Sequence, residues 1–191
     1  MALDFGTFGD ALALARQVAD LVGLFKINVQ LFTAQGPDAV RRLADLGVGV
    51  FLDLKYHDIP NTVAGAVAAA AALPGLELLD IHATGGLAMM RAAAEALAAS
   101  KPPSPRPKLL GITILTSMDR EALRQVGISG SPRTRVVSLA RLAKRAGLDG
   151  VVASPQEVAH VRHACGHSFL TVIPARLAGI NQPSSDVRKW L

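Results

Sequence analysis

Residues 51–63, FLDLKYHDIPNTV, place Asp53, Lys55 and Asp58 at the end of a segment that is otherwise apolar. Side chains alternate across an extended strand, so Asp53 and Lys55 share a face with Gly49 and Phe51, while Val50, Leu52 and Leu54 take the other. Pro60 lacks a backbone donor and biases Ile59 away from helix, which assigns Asp58 to the loop after the strand. The spacing therefore predicts two carboxylates and an ammonium converging at one strand mouth. A solvated charged loop is the ordinary reading of such a pattern, and the rest of the chain is what shifts the balance.

Upstream, Leu24–Ile27 is a short apolar run with Lys26 inside it, and ALDF at residues 2–5 is a shorter stub interrupted by Asp4. Between them, Leu12, Ala15, Ala19 and Val22 recur at helical spacing. A second helix is expected from Pro37, with Val40, Leu43 and Ala44 on one side and Gly47 at its end. Downstream, Pro60 opens a helix that Pro74-Gly75 stops, and LELLDIHA reads as a strand with Leu78, Asp80 and His82 on one face. A long Ala- and Met-rich helix follows Gly85-Gly86, then the connector KPPSPRP, then the strand LLGITILTS. Residues 119–147 carry helical patterns either side of GISGSP, DGVVA is the next strand, and Ser154-Pro155-Gln156-Glu157 has the cap and Pro of a helix start. FLTVIP is the seventh strand in this reading.

Strands alternating with helices imply crossover units and a parallel sheet, and this many units favour a (β/α)8 barrel of the TIM type. The first strand is shortened and an eighth is not identifiable. No G-x-G-x-x-G follows a strand, so an open dinucleotide-binding sheet has no support. In such barrels chemistry gathers where strands end, and Asp4, Lys26, Asp53, Lys55, His82 and Thr116 fall there. One domain over residues 1–191 is expected, incomplete at its C-terminal end.

Composition narrows the function. Lys+Arg 20 against Asp+Glu 15 gives a formal charge of +5, which favours small anionic ligands. The basic residues are scattered and aromatics are 4%, so nucleic acid is not expected. Hydrophobic residues make up 50% without any run long enough to span a bilayer, and the single cysteine, Cys165, fits a reducing compartment. A soluble cytoplasmic protein with no membrane contact follows. His160, His163 and His167 beside Cys165 are read as structural or solvated, and no metal site is assigned.

LDLKYHDIPNTV, with IHATGG at 81–86, ITILTSM at 112–118 and GLDGVVASPQE at 147–157, closely resembles orotidine 5'-phosphate decarboxylase of the bacterial type. HDIPNT and LTSM favour this branch over the sugar-phosphate decarboxylases and aldolases that share D-x-K-x-x-D. The resemblance implies a cofactor-free homodimer with shared active sites, converting orotidine monophosphate to uridine monophosphate and carbon dioxide in pyrimidine biosynthesis. It makes Lys26, Asp53, Lys55 and the Asp58 of a second copy an alternating charge array with Lys55 as proton donor. Asp4 and the second copy's Thr62 would meet the ribose, and Thr116 the pyrimidine region. His82 lies in a matching motif as a candidate substrate contact. Asn28 stands where the family usually has glycine, a change that Asn's tolerance of unusual backbone angles accommodates.

The family pattern continues with P-G-I-R, a Gln-containing loop and an eighth strand ending in a phosphate-binding G-R. Here Pro174-Ala175-Arg176-Leu177-Ala178-Gly179 leads into INQPSSDVRKWL, with Gln182 and Arg188 as unaligned stand-ins. The chain is accordingly expected to be truncated or altered there. A non-catalytic nucleotide-binding or assembly remnant is the alternative from a different class.

Overall fold

A computed structural model describes residues 1–103 and 105–174. Thr7 caps helix α1 (Phe8–Val18) by accepting the Asp10 N–H at 3.2 Å, and a short 3-10 turn leads into strand β1 (Leu24–Asn28). Two short helices, α2 (Val29–Gln35) and α3 (Asp38–Ala44), precede β2 (Gly49–Tyr56). The alternation continues through α4 (Pro60–Ala71), β3 (Leu76–His82), α5 (Gly86–Ala99) and β4 (Lys108–Ile112). After β4 come α6 (Arg120–Gln125), α7 (Pro132–Ala146), β5 (Gly150–Val152), α8 (Val158–Cys165) and β6 (Leu170–Val172).

The six strands form one parallel sheet in the order β1-β2-β3-β4-β5-β6, so every crossover joins sequential neighbours, as in a barrel. The sheet is a curled half-barrel with helices outside. Val50, Leu52, Leu79 and Ile81 are buried on its helix-facing side, where Val63, Val67, Met90 and Leu97 of α4 and α5 also lie in the core. Fixing strand to strand this closely requires glycine at one position: a Cβ on Gly150 would lie 2.5 Å from the Leu170 carbonyl oxygen. Among the described residues no helix is long and apolar enough to cross a membrane.

Two expectations change. The ALDF stub is not a strand but an isolated parallel bridge, Ala2 to Lys26, with bonds to β1 from the Met1 nitrogen to Leu24 O, from Lys26 N–H to Met1 O and from Leu3 N–H to Lys26 O. The count of seven strands thus becomes, among the described residues, six named strands and a bridge. The unaligned residues Gln182 and Arg188, and the position of any eighth strand, lie outside the described residues.

Candidate active site

The charged stretch does not stay a regular strand to its end. Leu52 pairs with Leu79 and Tyr56 with Ile81, so Asp53, Leu54 and Lys55 of β2 stand opposite Asp80 alone on β3. This is a bulge, and it bends the strand and redirects its side chains. Lys55 has φ 53°, the one non-glycine residue with positive φ among those described. A left-handed lysine costs roughly 1–2 kcal/mol and calls for a compensating contact. Its backbone N–H supplies one, donating to the Asp80 carboxylate at 2.7 Å.

The side chains that the bulge aims inward meet those of the neighbouring strand. Lys55 Nζ donates to Asp53 Oδ1, and the other oxygen of Asp53 lies 3.0 Å from Lys26 Nζ on β1. Lys26 continues the line to Asp4, 3.6 Å away. Asp4, Lys26, Asp53 and Lys55 thus form a chain of alternating charge in the wall of a cavity of about 720 Å³, within the range of small-molecule sites. The opposite wall is apolar, with Ile112, Ile114, Val152 and Val172, and exposed Thr116 at the edge.

Burial is the largest influence on Asp53 and raises its affinity for a proton. Hydrogen bonds with Asp80 and Lys55 and the charge of Lys26 together outweigh it, holding Asp53 below the ordinary carboxylate value. Asp80 is fully buried. That burial and the adjacent Asp53 carboxylate push it well above the ordinary value, against the opposing pull of Lys55. One site therefore holds an easily ionised carboxyl beside one that resists ionisation.

Asp80 is the member that sequence alone does not single out. Sharing a face with Leu78 and His82 is its one signal, and nothing in the pattern announces a bulge opposite it. Asn28 is also reinterpreted. Its backbone is extended, φ −86° and ψ 171°, so unusual angles are not what it provides. Instead its carbonyl caps α2 by accepting Leu31 N–H at 2.9 Å, and its amide donates to Asp4 at 2.9 Å.

Asp58 and Thr62 stand apart. Within this chain no ion pair joins Asp58 to Lys26 or Lys55; its carboxylate accepts the Ile59 N–H at 2.6 Å, and it is exposed, as is Thr62 in the first turn of α4. Within one chain Asp58 therefore does not join Asp53 and Lys55 as an ion pair; it lies exposed between β2 and α4. His82 lies outside the cavity lining, with its ring 5.2 Å from that of His57. Burial, aided by His57, lowers its pKa. Cys165 is buried, where burial raises the thiol pKa, and its carbonyl accepts Lys144 Nζ at 2.7 Å.

Comparison with known proteins places this geometry in context. The sequence model of the family described as "Orotidine 5'-phosphate decarboxylase / HUMPS family" matches residues 1–184. Orotidine 5'-phosphate decarboxylase of Geobacter sp. (strain M21) is 53% identical over 174 residues, covering 91% of this chain and 72% of the relative. The protein of the same name from Anaeromyxobacter dehalogenans is 53% identical over 173 residues, covering 91% and 73%. Among solved structures, orotidine 5'-phosphate decarboxylase from Lactobacillus acidophilus superposes with a TM-score of 0.81 at 36% identity, covering 90% of this chain and 78% of that one.

Proposed function

The chain belongs to the orotidine 5'-phosphate decarboxylase / HUMPS family, and on that footing we propose that it converts orotidine monophosphate to uridine monophosphate and carbon dioxide, with Lys55 as proton donor. The observation that carries the reading is the Lys26–Asp53–Lys55 array that β1 and β2 hold in the cavity wall. The bond from the pyrimidine ring to its carboxylate breaks heterolytically, carbon dioxide leaves, and the electron pair stays on the ring carbon. That pair has no ready path into the ring. A fixed ammonium aimed at the carbon stabilises the developing charge, then gives up a proton to it. No electrons leave the substrate, so the step needs no redox partner, and Lys55 supplies the only additional atom. Asp53, held ionised, keeps both lysine side chains in register and opposes the substrate carboxylate in the ground state.

Homodimer formation is part of the same proposal. Asp58, Ile59 and Thr62 are exposed just beyond the end of β2, and Ile59 is 66% exposed, an apolar side chain flanked by polar ones. A second copy seated there would bring its own Asp58 and Thr62 to the neighbouring cavity. Asp4 and Thr116, at the cavity edge, are assigned to the ribose and the pyrimidine region.

Loss of the orotate chromophore on incubation with orotidine monophosphate tests the reading. Lys55→Ala removes charge and acid together and should lower kcat by roughly 10⁴-fold. Equal rates for the two proteins would overturn the assignment. Turnover that requires added magnesium would point instead to a sugar-phosphate enzyme of similar architecture.

A further inference from the structure

A buried carboxyl with two oxygens must find partners for both. Asp80 is 0% exposed, and Oδ1 accepts the Lys55 N–H, yet Oδ2 is buried and no donor reaches it. Asp53, another acceptor, is one of the three β2 residues that stand opposite Asp80, and each carboxyl acts on the other's ionisation. Two ionised carboxylates cannot bond to each other; a single proton between them converts repulsion into a bond and satisfies the orphan oxygen.

We propose that Asp80 is a positioning residue that works un-ionised: one oxygen fixes the bulged Lys55 backbone and the other donates a proton-mediated hydrogen bond to the Asp53 carboxylate. This rests on the decarboxylase reading only for its effect on turnover. A carboxyl suits the place because it accepts from Lys55 and donates to Asp53 at once. The bulge explains why the backbone needs the contact. Three residues of β2, Asp53, Leu54 and Lys55, face Asp80, so the Lys55 N–H has no regular ladder partner there. Asp80 thereby ties the donor's backbone and its counter-ion to one atom group and sets where Lys55 Nζ sits relative to Asp53.

The charged and titratable groups around Asp80 are Asp53, Lys55 and Tyr56 on β2, with Lys26 on β1 reaching Asp53; on the β4 side its register neighbour is Leu110. Only Asp53 among them offers a strong acceptor. The sign of the linkage follows: a carboxyl whose proton is held more tightly folded than unfolded stabilises the fold at low pH, and that contribution is lost as pH rises from the unfolded value of about 4 through the folded one.

The test combines a spectroscopic readout with kinetics. In protein labelled with 13C at aspartate carboxyls, the resonance missing from Asp80→Asn identifies Asp80. It should remain in the protonated position through pH values at which ordinary aspartates have ionised. The stability difference between Asp80→Asn and the parent should shift in favour of Asn as pH rises above about 4, since the amide keeps both hydrogen bonds without a proton to lose. In kinetics, Asp80→Ala should lose on the order of 10²-fold in kcat with KM little changed, as expected for a misplaced donor, and Asp80→Asn should recover at least about tenfold of that loss. An Asp80 resonance titrating in the ordinary aspartate range overturns the proposal, as does Asp80→Asn failing to improve on Asp80→Ala. If the parent protein turns over no orotidine monophosphate, the decarboxylase reading fails by itself, and the carboxyl titration still decides the state of Asp80.

Discussion

Lys55 combines a side chain needed for chemistry with a backbone conformation that only glycine adopts without cost. The two demands separate by substitution. Lys55→Ala keeps the strain and loses the Nζ–Asp53 bond, whereas Lys55→Gly loses the same bond and relieves the strain. Both should be inactive, yet the glycine variant should be more stable by about 1 kcal/mol, read from chemical denaturation midpoints. Equal stabilities would mean that the Asp80 contact, rather than φ, sets the energy of the turn. Strain of this kind accumulates where a side chain must be aimed, and here it aims the proposed proton donor. From residue types alone, Asp53 and Lys55 were legible as a pair on one face. The left-handed turn between them and β3 was not, because lysine carries no local preference for it.

At the scale of elements, the site depends on how β1 hands over to α2. Asn28 ends the strand, caps the helix and holds Asp4, so a single side chain links the bridge at the N-terminus to the cavity wall. Asn28→Ala should cost about 1 kcal/mol, the usual value of an N-cap, measured as a lowered denaturation midpoint. Asn28→Gly should restore most of the capping loss while leaving Asp4 without its amide donor. A stability loss equal in both variants would show that the cap itself contributes little. The elements were largely readable from periodicity and caps: Pro60 opens α4, and Gly147 closes α7 in the left-handed conformation. The ALDF stub differs because four residues with an alternating pattern look like a strand, while its pairing with β1 stops at the single bridge of Ala2 with Lys26.

For the whole molecule, the outward placement of Asp58 and Thr62 makes a prediction about assembly. If active sites are shared across a two-fold axis, Lys55→Ala and Asp58→Ala damage each site from opposite chains. Mixing the two inactive proteins under conditions of subunit exchange should then restore about a quarter of parental activity, because half the dimers are mixed and each carries one intact site. Activity that stays at the level of the separate variants would place Asp58 outside the neighbouring site. Composition and the order of apolar runs determined a parallel α/β architecture with chemistry at strand ends, since side-chain periodicity and turn residues act locally. They also brought Asp53 and Lys55 into view through a motif whose spacing is fixed by one strand, and Lys26 as a cation inside a separate apolar run. Only the tertiary structure decided that Asp80 lies behind the charged pair and that FLDLKY ends in a bulge. Those features arise from the register between β2 and β3 and from burial, which depend on residues distant along the chain and leave no trace in local pattern.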